Sequence, residues 1–132
     1  MADIDRRDIS GRYPVARYEL AQQSWASGAS AAATAYLYNI NGIVEQIEVT
    51  INDNTGNRTA TVAIASEDAG SLYSQAAIPE NATTVYTALS NKGTPDASFN
   101  PFLVCGDLTF TVTPSGDPST TGMTVDVAIY VR

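Results

Sequence analysis

The stretch that decides the fold class is Met123-Thr124-Val125-Asp126-Val127-Ala128-Ile129-Tyr130-Val131. A large apolar residue occupies every second position, and polar or smaller residues stand between them, apart from Tyr130. Because successive side chains of a strand point to opposite faces, this period of two predicts a β-strand. One face of that strand is expected to lie in a core and the other to meet solvent.

Strand-like segments also fill most of the chain before this stretch. They are predicted at residues 15–22, 33–40, 43–51, 58–65, 71–78, 83–89 and 102–113. Three of them alternate clearly enough to assign a core face, namely Ile47, Val49 and Ile51; Ala60, Val62 and Ile64; and Leu108, Phe110 and Val112. The segments are separated by turn-forming residues such as those at 52–57, 66–70 and 79–81.

The turn chemistry also predicts which strands are neighbours. Asn41-Gly42 is typical of a tight turn, because this pair favours positive φ at both central positions. The dense turn at 52–57 predicts that residues 43–51 and 58–65 form a β-hairpin. Gly106 is expected to mark a bend or a bulge within the segment 102–113.

These segments predict an all-β protein with about eight strands and no substantial helix. Helical crossovers are missing, so the strands are expected to pair antiparallel. A single antiparallel β-sandwich, of jelly-roll or immunoglobulin-like type, accommodates them. We predict one domain over residues 13–132, preceded by a charged N-terminal arm over residues 1–12 that serves binding rather than folding.

The charge balance limits the classes of partner. The 132 residues include seven basic and fourteen acidic side chains, for a net charge of −7. Nucleic acid and anionic membrane surfaces are therefore not expected as partners, since both need clustered Lys and Arg. Residues 1–10 contain no apolar run, so no signal peptide is predicted, and the protein is expected to be made and folded in a cytosol.

The side chains that carry most enzyme chemistry are scarce. The chain has no histidine and one cysteine, Cys105, which is expected to be buried because apolar residues precede it. This composition excludes serine–histidine and cysteine–histidine nucleophiles within the chain and favours neither zinc nor another cofactor. The carboxylate pairs Glu67–Asp68 and Glu45–Glu48 are interpreted as solvated surface, and the oxygen-rich loops at 52–57 and Asp117 as turns rather than calcium sites. We therefore expect no catalytic activity.

Aromatic and basic residues are the better candidates for a site. Tyr36 and Tyr38 share a strand face that belongs either to the core or to a contact surface. Trp25, in a small-residue loop, either anchors a neighbouring subunit or closes the end of this domain's own core. The residues predicted to bind a partner are Arg6, Arg7, Arg12, Trp25, Tyr36 and Tyr86.

The chain resembles the small virion proteins of tailed bacteriophages, of the head decoration or cement type. The resemblance is carried by the alternating segments 47–51 and 58–62, by the turn and strand at 68–73, and by residues 125–132. It implies a protein of the virion that binds the major capsid protein or another virion protein, stabilises the assembled head and forms a homo-oligomer, with a trimer favoured. The alternative function is a module of a phage tail that binds carbohydrate or the cell surface through exposed tyrosines.

Overall fold

Eight strands and no helix make up the part of the chain that the computed structural model describes, residues 15–87 and 101–132. The strands are β1 (Ala16–Glu19), β2 (Gln23–Trp25), β3 (Ala33–Ile51), β4 (Ala60–Ser66), β5 (Gly70–Ile78), β6 (Ala82–Thr87), β7 (Phe102–Pro114) and β8 (Met123–Val131). The predicted all-β class and the number of strands are confirmed. The predicted arm at 1–12 and most of the predicted loop before β7 lie outside the described residues.

The 19-residue strand β3 organises the sheet, because its two halves have different neighbours. Its first half pairs with β7, which continues to β4 and β5. Its second half pairs with β8 on one side and with β6 on the other, and β8 in turn pairs with β1 and β2. All of these pairings are antiparallel, and the fold is consistent with the predicted β-sandwich.

The core takes apolar side chains from both halves of this arrangement. The alternation assigned from the sequence is confirmed, since each predicted core face is at most 4% exposed. The buried set comprises Ile47, Val49, Ile51, Ala60, Val62, Ile64, Leu108, Phe110, Val112, Met123, Val125, Val127, Ile129 and Val131. Burial of these apolar surfaces is the main force that holds the strands together.

The turn predicted at Asn41-Gly42 is wrong, because β3 runs through both residues. Asn41 is paired with Cys105 and Gly42 with Val104, so the chain does not fold back there. Glycine is needed at position 42 for another reason. Its φ is +140°, and a Cβ there would lie 2.7 Å from the carbonyl oxygen of Arg132.

The hairpin predicted from residues 43–51 and 58–65 is also wrong. Both segments are strands, but β3 pairs with β6, β7 and β8, whereas β4 pairs with β5 and β7. Asn54, which is 1% exposed, shapes the connection between them. Its side-chain oxygen accepts a hydrogen bond from the Arg58 amide at 2.8 Å, and its backbone amide donates to Glu80 at 3.1 Å. These bonds direct the chain across to the other set of strands instead of reversing it.

The predicted burial of Cys105 is wrong as well, because the run of apolar residues at the start of β7 still obeys the period of two. Val104 points into the core and is 2% exposed, whereas Leu103 and Cys105 lie on the outer face. Leu103 is 72% exposed. Two members of this continuous apolar run, Leu103 and Cys105, therefore point outward.

Candidate interaction surface

A β-bulge interrupts the first half of β3 at Tyr38 and Asn39. Leu37 is paired with Leu108 and Ile40 with Gly106, so Tyr38 and Asn39 together stand opposite Asp107. Asn39 has a positive φ of 56°, and its amide donates a hydrogen bond to the Asp107 carboxylate at 3.0 Å. The extra residue of this bulge lies in β3 and not at Gly106 in the segment 102–113, where the sequence predicted a bend or a bulge.

Tyr36 and Tyr38, two residues apart on one strand face, form an exposed aromatic pair next to this bulge. They are 52% and 63% exposed, their ring centroids lie 6.1 Å apart, and the ring planes differ by 16°. Of the two alternatives open from the sequence, the core is therefore excluded for this pair. Exposed, stacked rings offer an apolar surface whose π electrons also attract cations.

A groove of about 360 Å³ lies next to this pair of tyrosines. Asp107 and Thr109 of β7 line the middle of the groove. The side opposite the tyrosines is lined by Ser66, at the end of β4, and by Glu67, in the turn after it. None of the six described residues that line the groove is basic. The arrangement combines two aromatic rings with two carboxylates, which suits a cation or a polyhydroxylated ligand.

Apolar side chains extend the exposed surface beyond the tyrosines. Ile43 and Leu103 are directly paired across β3 and β7 and are 38% and 72% exposed. Cys105, also exposed, lies on the same face two residues from Leu103. We call the outer surface formed by Tyr36, Tyr38, Ile43, Leu103 and Cys105 the tyrosine face.

The outer surface around β1 and β8 has a different character, because its charges are paired with each other. Arg17 donates to the Tyr130 hydroxyl at 3.0 Å and to Glu48 at 3.1 Å, and it also bonds Glu19. The bonds to Glu19, Glu48 and Tyr130, in that order of size, hold the pKa of Arg17 above its ordinary value. These groups line a depression of only about 100 Å³ and satisfy one another, so we do not assign a site there.

Among the remaining predicted binding residues, Trp25 is part of the core. It is 6% exposed, and its indole nitrogen donates to the Ala31 carbonyl at 2.7 Å. The alternative in which Trp25 closes the end of this domain's own core is therefore the one that the structure shows. Tyr86, opposite Ile47, is half-buried, and burial raises its pKa. Arg6, Arg7 and Arg12 lie outside the described residues.

The polar loops considered as a calcium site instead bond to the backbone. One Asp117 carboxylate oxygen accepts hydrogen bonds from the amides of Gly28 at 2.8 Å and Ser119 at 2.9 Å. The Ser119 amide first, and then the Gly28 amide, lower the pKa of Asp117. Within residues 15–87 and 101–132, no group of three or more metal-binding side chains is close enough to hold an ion. The same residues include no helix long and apolar enough to cross a membrane.

We expect Asp117→Asn to lower the melting temperature at pH 7, because a neutral amide accepts the two backbone hydrogen bonds more weakly. The pKa of Asp117 is depressed in the folded state, so its stabilisation is present above the ordinary pKa of 3.8 and is lost as pH falls through the folded value. The difference between wild type and variant should therefore shrink below about pH 4. Melting curves at neutral and acidic pH test this, with Asp68→Asn in an exposed turn as the control. An undiminished difference in acid would contradict it.

Comparisons with known proteins yield viral structures. No family model matches the chain, and no curated protein matches it. The structure of infectious bursal disease virus Gt strain matches with a TM-score of 0.43 and 9% identity over 90% of this chain and 32% of that one. The Gx strain of the same virus matches with a TM-score of 0.38, 8% identity and coverages of 89% and 32%. This chain therefore spans about a third of the length of those two chains.

A bacteriophage structure is also among the matches. The acidic stable capsid structure of Helicobacter pylori bacteriophage KHP30 matches with a TM-score of 0.32 and 13% identity, over 84% of this chain and 93% of that one. All three are structures of viruses or of a viral capsid. Likeness at these TM-scores assigns no role to any residue.

Proposed function

We propose that this protein is a non-catalytic structural protein of a virion, a capsid decoration or cement subunit that binds and stabilises the assembled phage head. The observation that carries the proposal is the tyrosine face, in which exposed aromatic and aliphatic side chains are concentrated on one outer strand surface. Exposed apolar patches of this kind mark contacts with other proteins, and tyrosine is enriched in such contacts. The resemblance of the sequence to small phage virion proteins supplies the partner, a capsid protein or another virion protein.

The neighbouring side chains also suit a protein contact. Thr109 and Thr111 of β7 and Thr34 of β3 lie between or beside the tyrosines in the paired rows of the sheet. Uncharged, β-branched side chains can be covered by a partner without the large desolvation penalty of buried charges. The repeated subunits of a lattice can therefore cover this surface at a low desolvation cost.

Stabilisation of a head would follow from mass action. A subunit that binds the assembled shell and not its free components shifts the equilibrium toward the shell by its own binding free energy. Repeated sites on a symmetric particle allow modest affinity at each one. A homo-oligomer, with a trimer favoured, would engage several such sites at once.

Gradient-purified virions from the source of this sequence provide the test. We expect mass spectrometry to find the protein in a fixed, high copy number in intact particles. Particles that lack it should release their genome at a lower temperature than complete ones. Absence of the protein from intact particles, or an unchanged release temperature without it, would contradict the proposal.

A carbohydrate-binding function is the second candidate, and the groove beside Tyr36 and Tyr38 is the observation that favours it. Sugar rings can stack on exposed aromatic rings while Asp107 and Glu67 accept hydrogen bonds from hydroxyl groups. In that case, immobilised glycans should retain the wild-type protein and lose the Tyr36→Ala variant. A decoration subunit should not bind the immobilised glycans.

A further inference from the structure

We propose that the groove between Tyr38 and Glu67 binds arginine side chains from residues 1–12 of a second copy of this chain, so that the subunits associate head to tail. The inference rests on the proposed structural function and names a contact by which such subunits would join. The groove presents two stacked rings and two carboxylates, Asp107 and Glu67, and none of its described lining residues is basic. A guanidinium stacks on aromatic rings and pairs with carboxylates, so it meets both parts of this site.

The distribution of charge in the chain indicates which basic side chains could bind in the groove. The described residues contain three arginines against ten carboxylates, so they carry the whole net charge of −7. Each of the three arginines is already engaged: Arg17 with Glu19 and Glu48, Arg58 with the Asp117 carbonyl, and Arg132 with Glu45. The cations that could occupy a neighbour's groove must therefore come from elsewhere in the chain.

Residues 1–12 contain most of the remaining positive charge. Arg6, Arg7 and Arg12 lie there, and Lys92 is the single further basic residue of the sequence. Arg6 and Arg7 form the chain's one adjacent basic pair, and two adjacent guanidinium groups match a groove with two carboxylates. This contact uses different surfaces on the two subunits, so it generates a closed ring or an open chain rather than an isologous dimer.

Sedimentation of three full-length proteins tests the contact. One variant, Glu67→Gln with Asp107→Asn, removes the charge of the groove while keeping the side-chain shapes. A second variant, with Arg6, Arg7 and Arg12 all changed to Gln, removes the arginines of the segment and leaves its three aspartates. We expect the wild type to self-associate and each variant alone to associate at least about tenfold more weakly. Association of the wild type should also weaken between about 0.1 M and about 0.5 M salt, as exposed ion contacts do.

Mixing the two variants provides the decisive measurement. The groove variant still carries the arginines, and the arginine variant still carries the groove, so the mixture should form a one-to-one heterodimer and stop there. A Tyr36→Ser, Tyr38→Ser variant, whose circular dichroism and melting are checked first, should behave as the charge variant of the groove does. An exposed position outside both the groove and the tyrosine face, Val85→Ser, serves as the matched control and should self-associate normally.

Several outcomes would overturn the proposal. A monomeric wild type would mean that the arginines bind within one chain or not at all. Unchanged association of the groove variants would place the contact elsewhere, and a mixture without heterodimers would exclude the head-to-tail arrangement. Retention on glycans that is lost with the tyrosines would assign the groove to carbohydrate instead. Because the virion measurement is independent, a monomeric protein found in virions would defeat this inference alone.

Discussion

Replacing Phe110 by alanine is expected to lower the free energy of unfolding by about 3–5 kcal/mol. Phe110 is 0% exposed and is the largest of the fully buried side chains among residues 15–87 and 101–132. It lies in β7 between Ala35 of β3 and Ile64 of β4, so its ring fills the core where three strands are paired. Truncation loses the burial of the ring and leaves a cavity that paired strands cannot collapse to fill.

Urea denaturation followed by tryptophan fluorescence measures this loss, because Trp25 belongs to the same core cluster. Thr109→Ala, one position away on the outer face of the same strand, is the control and should change stability by no more than about 0.5 kcal/mol. Equal effects of the two substitutions would show that the β7 faces are wrongly assigned.

Gly122→Ala is expected to destabilise the protein by about 2–5 kcal/mol through two separate causes. The φ of Gly122 is +72°, which costs an alanine about 1–2 kcal/mol. A Cβ would also stand 2.7 Å from the Trp25 carbonyl oxygen, and relieving that overlap costs about 1–3 kcal/mol more. The carbonyl cannot easily retreat, because Trp25 is paired with Met123 at the start of β8.

Gly28→Ala separates the two causes. Gly28 has a similar φ of +87°, but no heavy atom lies within 4 Å of the place where its Cβ would stand. This variant should therefore show only the backbone cost. If thermal or chemical unfolding gives the same loss for both variants, the close approach of Trp25 to Gly122 contributes nothing.

The strands and their buried faces were predictable from the sequence because both depend on a local pattern. In β8 and in the segment around Leu108, the alternation of side chains fixes which residues face inward whatever the neighbouring strand is. The same rule applied strictly would have placed Leu103 and Cys105 outside. The continuous apolar run before Cys105 favours burial of the thiol, and this signal conflicts with the alternation.

Strand pairing was not predictable, because it depends on contacts between residues far apart in the sequence. Asn41-Gly42 has the chemistry of a hairpin turn, yet pairing with Cys105 and Val104 keeps it extended. The predicted hairpin failed because the buried side chain of Asn54 binds the backbone of Arg58 and turns the chain toward the other set of strands.

The candidate site could also be predicted only in part from local sequence patterns. Tyr36 and Tyr38 were predictable as residues of one strand face. The groove beside them was not, because Glu67 comes from the turn after β4 and Asp107 from β7. No local pattern relates these residues. Their proximity follows only from the pairing of β7 with both β3 and β4.

The position of β8 between β1 and β3 determines when this part of the sheet can fold during synthesis on the ribosome. Residues 16–25 and 44–51 have no backbone pairing with each other, and both pair with residues 123–131. Until that last strand leaves the exit tunnel, this half of the sheet cannot close. Contacts so distant in sequence also form slowly, since large loops must close first. This half of the sheet therefore cannot form until residues 123–131 have been translated, so a nascent chain without them cannot present the folded domain to an assembly.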